Sequence, residues 1–521
     1  NAASNLFYTD TLATANQPTF SGVEIAKVIL SDSGADSTVT ATSASFASTL
    51  QLDGDLINAK ATVSSIPATV TTIKLGKTLD ISDDGGALDL VYKDASATAP
   101  AASMTITSDL LETSTAIANI DALQADEVTS VTLGLDSTDT DVTKVTLDGA
   151  SFDKATSVTI TSGEKVTIGS IDAKDDATLD FTGVTGELDV TVDNTNDYTV
   201  KGAATAKSTI RMGSANGLDK DDNIQGGSGT SDVLIAEING LANSSSSTTG
   251  ALTISGIETI ELDVVTATSS LDFSGVTGAT TVAVGSGGAG IDLTIDKLTA
   301  GTAIQYGVTA SSDFTGDLVV KLADATGSDD SLTINLAARG SDDEVDGTLT
   351  TTGIETVTIN DLSTNTNQVL FSATSNTSIV DFTSTSVLTL FGDSAALLSL
   401  VSSSLSADAA LENSGAVITL ADNKLLIGEV ESKVNVDTAA NIISSNADNK
   451  ELSGVDVDAN ADAFLLIGGA DDDTTQFLYK IDNDNIALLA TGEVTLVATL
   501  TTNVANGIIG YTAADFDFTL T

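Results

Sequence analysis

Two glycine- and aspartate-rich nonapeptides lie end to end near the middle of the chain, GLDKDDNIQ at residues 217–225 and GGSGTSDVL at residues 226–234. Glycine accepts tight turns with positive φ. Short carboxylate side chains on such turns supply the oxygen ligands that Ca²⁺ prefers. The candidate ligands in this segment are Asp219, Asp221, Asp222 and Asp232. We therefore predict a calcium site here, the alternative being an acidic glycine-rich surface turn without metal.

Further clusters of carboxylates lie outside the nonapeptides. Residues 456–462 (DVDANAD) have the D-x-D-x-N-x-D spacing of an EF-hand loop, but Ala461 replaces the required glycine and Ile467 the bidentate Glu. Adjacent carboxylates repel one another unless a cation neutralises them, which predicts looser calcium sites; the alternative is a solvent-exposed run of Asp. The additional candidate ligands are Asp83, Asp84, Asp342, Asp343, Asp456, Asp458, Asn460, Asp462, Asp471, Asp472 and Asp473.

Missing residue types exclude several kinds of catalysis. The 521 residues include no Cys, no His and no Trp. A Ser-His-Asp triad, a His-based zinc site, a Cys nucleophile and a disulfide are therefore impossible. Paired carboxylates could still hydrolyse glycosidic bonds, but six Tyr and 14 Phe without Trp make a sugar-stacking cleft improbable. We predict that the protein is not an enzyme.

The charge balance predicts which partners the chain avoids. It has 20 basic and 73 acidic residues, a net charge of −53. Such a chain repels nucleic acid, anionic membrane surfaces and its own copies unless cations intervene. It contains no apolar run long enough to span a membrane, so we expect no membrane-spanning segment. Because the chain begins at Asn1 rather than Met, we expect that a leader was removed or the sequence trimmed.

Alternation of apolar and polar residues is the main structural signal, as in SVTI at residues 157–160 and ELDVTV at residues 187–192. Such segments recur roughly every 8–12 residues between Gly, Asp, Asn and Ser turns, which favours sandwiches or solenoid-like stacks. We predict an all-β protein of several consecutive β-sandwich or β-roll-like domains with calcium-binding loops and few short helices. The predicted helices are residues 110–123, 394–411 and 438–445. The predicted domains are 1–127, 128–215, 216–310, 311–414 and 415–521.

Two motifs recur along the chain. LDFTGVTG at residues 179–186 returns as LDFSGVTG at residues 271–278, an offset of 92. GIETI at residues 256–260 returns as GIETV at residues 353–357, an offset of 97. Both GIET copies follow an acidic, glycine-containing segment. We infer a repeated unit of roughly 90–100 residues whose copies have diverged in sequence.

Together, the nonapeptides, the GIET motif and the composition resemble the RTX-type surface-layer (S-layer) proteins of Gram-negative bacteria, most of all those of marine gammaproteobacteria. The RTX pattern is GGxGxDxUx, with U a large apolar residue. The resemblance implies that Asp222 is a calcium ligand and that Ile224 and Leu234 point inward. The second copy departs from the pattern, because Ser231 stands at the Asp position and Asp232 comes one residue later. Since about three repeats are needed for a stable roll, two copies imply a calcium-clamped loop within a larger β-structure.

The resemblance also implies a function. We expect a structural subunit, secreted to the cell surface of a Gram-negative bacterium, that self-assembles with identical subunits into a calcium-dependent two-dimensional lattice. The expected cofactor is Ca²⁺, and the expected attachment is to lipopolysaccharide or the outer-membrane surface. The alternative is a secreted calcium-dependent adhesin or biofilm-matrix protein, which would share the calcium dependence without ordered self-assembly.

Overall fold

The structure is a computed structural model. It describes residues 128–136, 143–192, 196–213, 220–238, 252–264, 268–285 and 291–307 almost continuously, and elsewhere chiefly the strands given below. Every regular element in this part of the chain is a β-strand. Among the described residues we find no helical segment with the length and apolarity that a membrane span requires.

The strands follow one another with short connections. The first twenty are β1 (Asn5–Thr9), β2 (Ile25–Leu30), β3 (Ser37–Thr40), β4 (Thr49–Gly54), β5 (Lys60–Ile66), β6 (Thr72–Leu75), β7 (Ala87–Tyr92), β8 (Met104–Ser108), β9 (Ile117–Gln124), β10 (Ser130–Gly134), β11 (Lys144–Phe152), β12 (Ser157–Ser162), β13 (Lys165–Ala173), β14 (Ala177–Val184), β15 (Leu188–Val192), β16 (Tyr198–Lys201), β17 (Ser208–Met212), β18 (Asn223–Gln225), β19 (Val233–Ile238) and β20 (Thr253–Ser255). The others are β21 (Thr259–Val264), β22 (Ser269–Asp272), β23 (Val276–Thr277), β24 (Thr281–Val284), β25 (Leu293–Leu298), β26 (Ala303–Tyr306), β27 (Leu318–Leu322), β28 (Ser331–Leu336), β29 (Glu344–Thr352), β30 (Thr356–Asp361), β31 (Gln368–Ser372), β32 (Asn376–Val380), β33 (Val387–Phe391), β34 (Ile418–Leu420), β35 (Lys424–Val430), β36 (Val455–Val457), β37 (Ala461–Gly469), β38 (Asp472–Asn483), β39 (Val494–Thr501) and β40 (Phe516–Asp517).

The chain forms two compact units. Unit 1 comprises Asn1–Asn243, Gly250–Glu261 and Gly275–Ala279, and unit 2 comprises Ser244–Thr249, Leu262–Ser274 and Thr280–Thr521. The division into five domains predicted above is not tested by this partition and stays a prediction.

Unit 1 is a parallel β-solenoid. From β2 onward, successive strands alternate between two sheets, so each strand pairs with the one a full turn away rather than with its neighbour in sequence. β1 is the exception, because it pairs directly with β2. Ala177, for example, lies beside Tyr198 in one sheet, and Val166 lies beside Leu188 in the other. The first sheet has the order β1-β2-β4-β6-β8-β10-β12-β14-β16-β18-β20-β23. The second sheet has the order β3-β5-β7-β9-β11-β13-β15-β17-β19.

The core lies between the sheets and consists of apolar side chains stacked in register. In the first sheet, one such column shows at most 1% exposure at every level. Its members are Leu50, Ile73, Ile106, Leu133 and Ile160. Burying a side chain of this size stabilises the fold by about 1.5–3 kcal/mol. Each turn therefore depends on its neighbours for its core, as expected of a repeat protein.

Unit 2 also consists mainly of parallel strands. One of its sheets has the order β22-β25-β27-β29-β31-β33-β40, and another contains β24-β26-β28-β30-β32. Near the C-terminus the pairing changes, because β37 pairs with β38 and β38 with β39 in antiparallel fashion.

The prediction of an all-β fold is confirmed. Of the two predicted architectures, the parallel solenoid is consistent with the β-roll-like one and not with β-sandwich domains. An alternation of apolar and polar residues indicates that one face of a strand is buried. It does not distinguish parallel stacking from antiparallel sheets. The predicted helix at residues 110–123 is wrong over its second half, where Ile117–Gln124 forms β9 within the second sheet. The predicted helices at 394–411 and 438–445 lie outside the described residues.

The repeated octapeptide makes the same aspartate-centred contacts in both copies. In the first copy, the Asp180 carboxylate accepts a hydrogen bond of 3.0 Å from the N–H of Thr182, and in the second, Asp272 accepts one of 2.9 Å from Ser274. Each aspartate also pairs with a lysine of the following turn. These lysines are Lys201, at 3.4 Å, and Lys297, at 2.6 Å. The element that stacks is thus a single turn, shorter than the unit of roughly 90–100 residues inferred from the motif offsets.

Candidate cation site at the glycine-rich corner

Strands β18 and β19 hold the glycine-rich segment at one corner of unit 1. Ile224 and Leu234 are both 0% exposed and point into the core, as the resemblance implied. Gly227 has a φ of +118°, a conformation that residues with a Cβ rarely adopt. The corner is therefore built as the nonapeptide pattern predicts, from a glycine turn between two inward apolar residues.

Asp222 and Asp232 occupy equivalent places in the two sheets. Each is almost fully buried and directly precedes a strand. Asp222 Oδ1 accepts a 2.8 Å hydrogen bond from the N–H of Tyr198, and Asp232 Oδ1 accepts one of 2.6 Å from Ser208. Both donors are the first residue of a strand in the preceding turn. Each carboxylate therefore satisfies a buried N–H group at a strand start.

This equivalence accounts for the irregular second nonapeptide. Asp222 and Asp232 are ten positions apart rather than nine, and each lies one residue before its strand. The structure therefore aligns the two aspartates by strand position, although a nonapeptide alignment places Ser231 opposite Asp222.

Asp232 also connects its turn to the next one through the GIET motif. Its backbone N–H donates to Glu258 Oε2 at 2.8 Å. Its carbonyl oxygen accepts hydrogen bonds of 3.1 Å from the N–H groups of Glu258 and Thr259. Asp232 thus links three consecutive turns, with Ser208 on one side and Glu258 on the other.

Glycines make this close approach of the turns possible. A Cβ on Gly226 would lie 2.0 Å from the carbonyl oxygen of Gly256. Gly256, the first residue of GIET, has a φ of +62°, and a Cβ there would lie 2.5 Å from the carbonyl oxygen of Gly227. The backbones of neighbouring turns therefore meet where no side chain fits.

One oxygen of Asp232 distinguishes this corner as a place for a cation. Oδ2 is buried without a hydrogen-bond partner, which is costly for an ionised group. Burial raises the pKa of Asp232, and the Glu258 carboxylate raises it further, although hydrogen bonds from Ser208 oppose these effects. A Cβ on Gly229 would lie 3.0 Å from Oδ2 and 3.2 Å from the carbonyl oxygen of Ala206. Carboxylate and carbonyl oxygens thus converge beside a residue without a side chain.

Among the residues that the structure describes, no group of three or more His, Cys, Asp or Glu side chains is arranged to hold a metal ion. A cation at this corner would therefore need backbone carbonyl oxygens besides Asp232 and Glu258, as Ca²⁺ commonly does.

The structure describes only some of the other predicted ligands. Asp221 is exposed, and its carboxylate contacts the ammonium group of Lys220. The backbones of four candidates lie in strands β36, β37 and β38, and those four are Asp456, Asp462, Asp472 and Asp473. Asp456 and Asp462 thus belong to separate strands rather than to one EF-hand loop. The candidates outside the described residues are Asp83, Asp84, Asp219, Asp342, Asp343, Asp458, Asn460 and Asp471.

Sequence reasoning missed Glu258 as a member of the site. It singled out GIET as a repeat that follows an acidic segment, and that association was the available signal. Contact between Glu258 and Asp232 depends on the turn length, since 26 residues separate them along the chain. Arg211, which precedes the segment, pairs with Asp189 of the neighbouring strand at 3.1 Å.

Comparison of the chain with protein-family models, with curated proteins and with solved structures finds no match. The geometry of the corner and the properties of the chain therefore carry the functional argument.

We expect Asp232→Asn to change how stability depends on pH. A raised folded-state pKa means that the carboxyl contributes its full stability below the unfolded-state pKa and loses it as pH rises through the folded-state pKa. In calcium-free buffer, the free energy of unfolding of the variant should therefore rise relative to that of wild type between pH 3 and pH 7. Urea denaturation at both pH values measures this difference.

Asp180→Asn is a control of opposite sign. Burial acts to raise the pKa of Asp180, but hydrogen bonds from Thr182 and the charge of Lys201 outweigh it, so the pKa is lowered. Asp180 therefore contributes stability at high pH that is lost as pH falls through its folded-state pKa. Equal pH dependence of the two variants would contradict the assignment of Asp232.

Proposed function

We propose that the protein is a structural S-layer subunit that self-assembles into a calcium-dependent two-dimensional lattice on the cell surface. The observation that carries this proposal is the buried, unpartnered oxygen of Asp232 beside Glu258, in a chain with a net charge of −53. A divalent cation at such a corner would compensate buried charge within the subunit. Cations at exposed carboxylates would reduce the repulsion between subunits that otherwise prevents assembly.

In this proposal Ca²⁺ binds at the glycine-rich corner as in a β-roll. Asp232, Glu258 and the carbonyl oxygen of Ala206 are the groups that would hold it. The ion would satisfy Asp232 Oδ2 and join consecutive turns through oxygen ligands, the only kind that this corner offers. Calcium would stabilise the folded solenoid because it binds the native state and not the unfolded chain.

The solenoid suits a structural role on a cell surface. Its strands place apolar residues in the core and Thr, Ser and Asp outside, as in the alternately buried strands β12 and β15. We propose that the subunit is extracellular, that it covers a Gram-negative bacterium and attaches to lipopolysaccharide or the outer-membrane surface, and that it has no enzymatic role.

Electron microscopy of the purified protein, in millimolar calcium and then after EGTA, tests this function. We expect ordered sheets that dissolve on chelation and return when calcium is restored. Monomers under both conditions would overturn the lattice and favour a calcium-dependent adhesin or biofilm-matrix protein instead.

Two variants test whether the corner is the calcium switch. Asp232→Asn removes a carboxylate ligand, and Gly229→Ala places a methyl group 3.0 Å from Asp232 Oδ2. Both should lower the calcium-induced rise in melting temperature. Gly134→Ala is the matched control, because the nearest atom to its Cβ would be 3.7 Å away. An unchanged calcium response in both variants would mean that another carboxylate cluster is responsible for the calcium dependence.

A further inference from the structure

The outer face of the first sheet carries a continuous row of threonines. Five successive strands place threonine at the same register position. These residues, which we call the threonine ladder, are Thr49, Thr72, Thr105, Thr132 and Thr159. All five are partly exposed, whereas the residues that follow them along each strand are buried. The ladder therefore lies on the outside of the solenoid, one rung per turn.

A second hydroxyl-rich row runs beside the ladder and extends it. It crosses six strands from β10 to β20 in register. Its members are Ser130, Ser157, Thr178, Thr199, Asn223 and Thr253. No residue in either row carries a charge. Next to the ladder, on β14 and β16, Asp180 and Lys201 neutralise each other as an ion pair.

The second sheet provides the contrast. Its row through Thr146 and Thr167 continues to Asp189, which pairs with Arg211. Lys144 and Lys165 lie side by side two positions earlier on the same strands as the two threonines. Two uncharged rows are thus a property of the first sheet, although Lys74, Asp180 and Lys201 lie beside them on the same face.

We propose that the threonine ladder and the row beside it form a self-association surface, whose occupant is the same face of a second copy of this chain. A hydroxyl group both donates and accepts hydrogen bonds, so a hydroxyl face is complementary to itself, whereas a carboxylate only accepts. Such a surface suits an isologous contact about a two-fold axis.

Charge supports the same occupant. In a chain of net charge −53, a face that carries two uncharged rows, one ion pair and a lysine is where two copies approach with least repulsion. Charges farther away than about 10 Å are largely screened at 0.1 M salt. This inference rests on the proposed self-assembly and deepens it by naming one contact face.

The area of the face indicates a weak, reversible contact. The two rows hold five and six residues, each of which occupies about 4.8 Å between strands and about 6.6 Å between same-face neighbours along a strand. They thus offer about 350 Å² per copy, well below the roughly 800 Å² per partner of a standard stable interface. A lattice tolerates weak contacts because each subunit makes several of them at once.

Sedimentation equilibrium of the full chain, at calcium concentrations below those that form sheets, tests the proposal with paired Glu substitutions. Thr132→Glu with Thr159→Glu places two like charges on the ladder, and we expect the dimer dissociation constant to rise about tenfold or more, equivalent to ~1.4 kcal/mol. Thr146→Glu with Thr167→Glu is the matched control, since these threonines are also direct register partners. The control should change the constant less than about twofold.

A charge-swap pair keeps the test decisive if the Glu substitutions reduce stability. A protein with Thr132→Lys and Thr159→Lys, mixed with the Glu variant, should form mixed dimers more tightly than either variant alone. Equal weakening by ladder and control variants, without rescue in the mixture, would overturn the proposal. Wild-type protein that stays monomeric at all concentrations would also overturn the proposal, even if its ladder binds an insoluble polysaccharide.

The outcomes separate this inference from the proposed function. Lattices that form equally well with the ladder variant would leave the S-layer function standing and refute the contact face. A wild-type dimer that depends on the ladder but never forms sheets would support the contact face and refute the S-layer function.

Discussion

Gly226→Ala is expected to lower the free energy of unfolding by about 3–5 kcal/mol, among the largest effects of any single substitution in this protein. The added methyl group would lie 2.0 Å from the carbonyl oxygen of Gly256 and 2.8 Å from the Ile257 side chain. The carbonyl belongs to the backbone of the next turn and cannot rotate away. Relief therefore requires the two turns to separate, which breaks the bond of 2.9 Å from the Gly226 N–H to the Ser255 carbonyl oxygen.

Urea denaturation followed by circular dichroism measures this loss. Gly134→Ala serves as the control, because Gly134 ends a first-sheet strand of unit 1 much as Gly226 directly follows one, but a Cβ there meets no atom closer than 3.7 Å. The control should stay within about 1 kcal/mol of wild type, since alanine restricts the unfolded chain. Equal stability of the two variants would show that the turns are not packed as closely at Gly226 as the structure indicates.

Phe181→Ala and Phe273→Ala are each expected to cost about 3–5 kcal/mol, the usual range for truncating a buried phenylalanine. The two residues hold the same place in the repeated octapeptide and are 0% and 1% exposed. Phe181 belongs to unit 1 and Phe273 to unit 2. Each truncation removes a core side chain from the unit to which that phenylalanine belongs.

Differential scanning calorimetry of the single and double variants measures where these losses appear. If the units unfold separately, each substitution should lower a different transition, and the double variant should lower both by additive amounts. A single transition that both substitutions shift alike would show that the two units unfold cooperatively. Thr253→Ala, at an exposed strand position, should change either midpoint little.

The corner at Asp232 shows why the candidate site was only partly predictable. The glycine and aspartate pattern identified the segment, the inward Ile224 and Leu234, and four candidate carboxylates, among them Asp222 and Asp232. It did not show that both aspartates hold buried N–H groups of the preceding turn, because Tyr198 and Ser208 lie 24 residues earlier. Nor did it identify Glu258 as the neighbour of Asp232, since that contact depends on the length of the intervening turn.

By itself, the sequence determined the all-β character of this chain, its acidic surface, its lack of thiol and imidazole chemistry, and the positions of many strands. These properties follow from composition and from a local alternation of period two, which dictates which face of each strand is buried. Only the tertiary structure decided that sequential strands alternate between sheets and stack in parallel, turn upon turn. Strand pairing is a long-range property that depends on turn lengths and glycine contacts. For the same reason, the threonine ladder became visible only when Thr49, Thr72, Thr105, Thr132 and Thr159 were brought into one register.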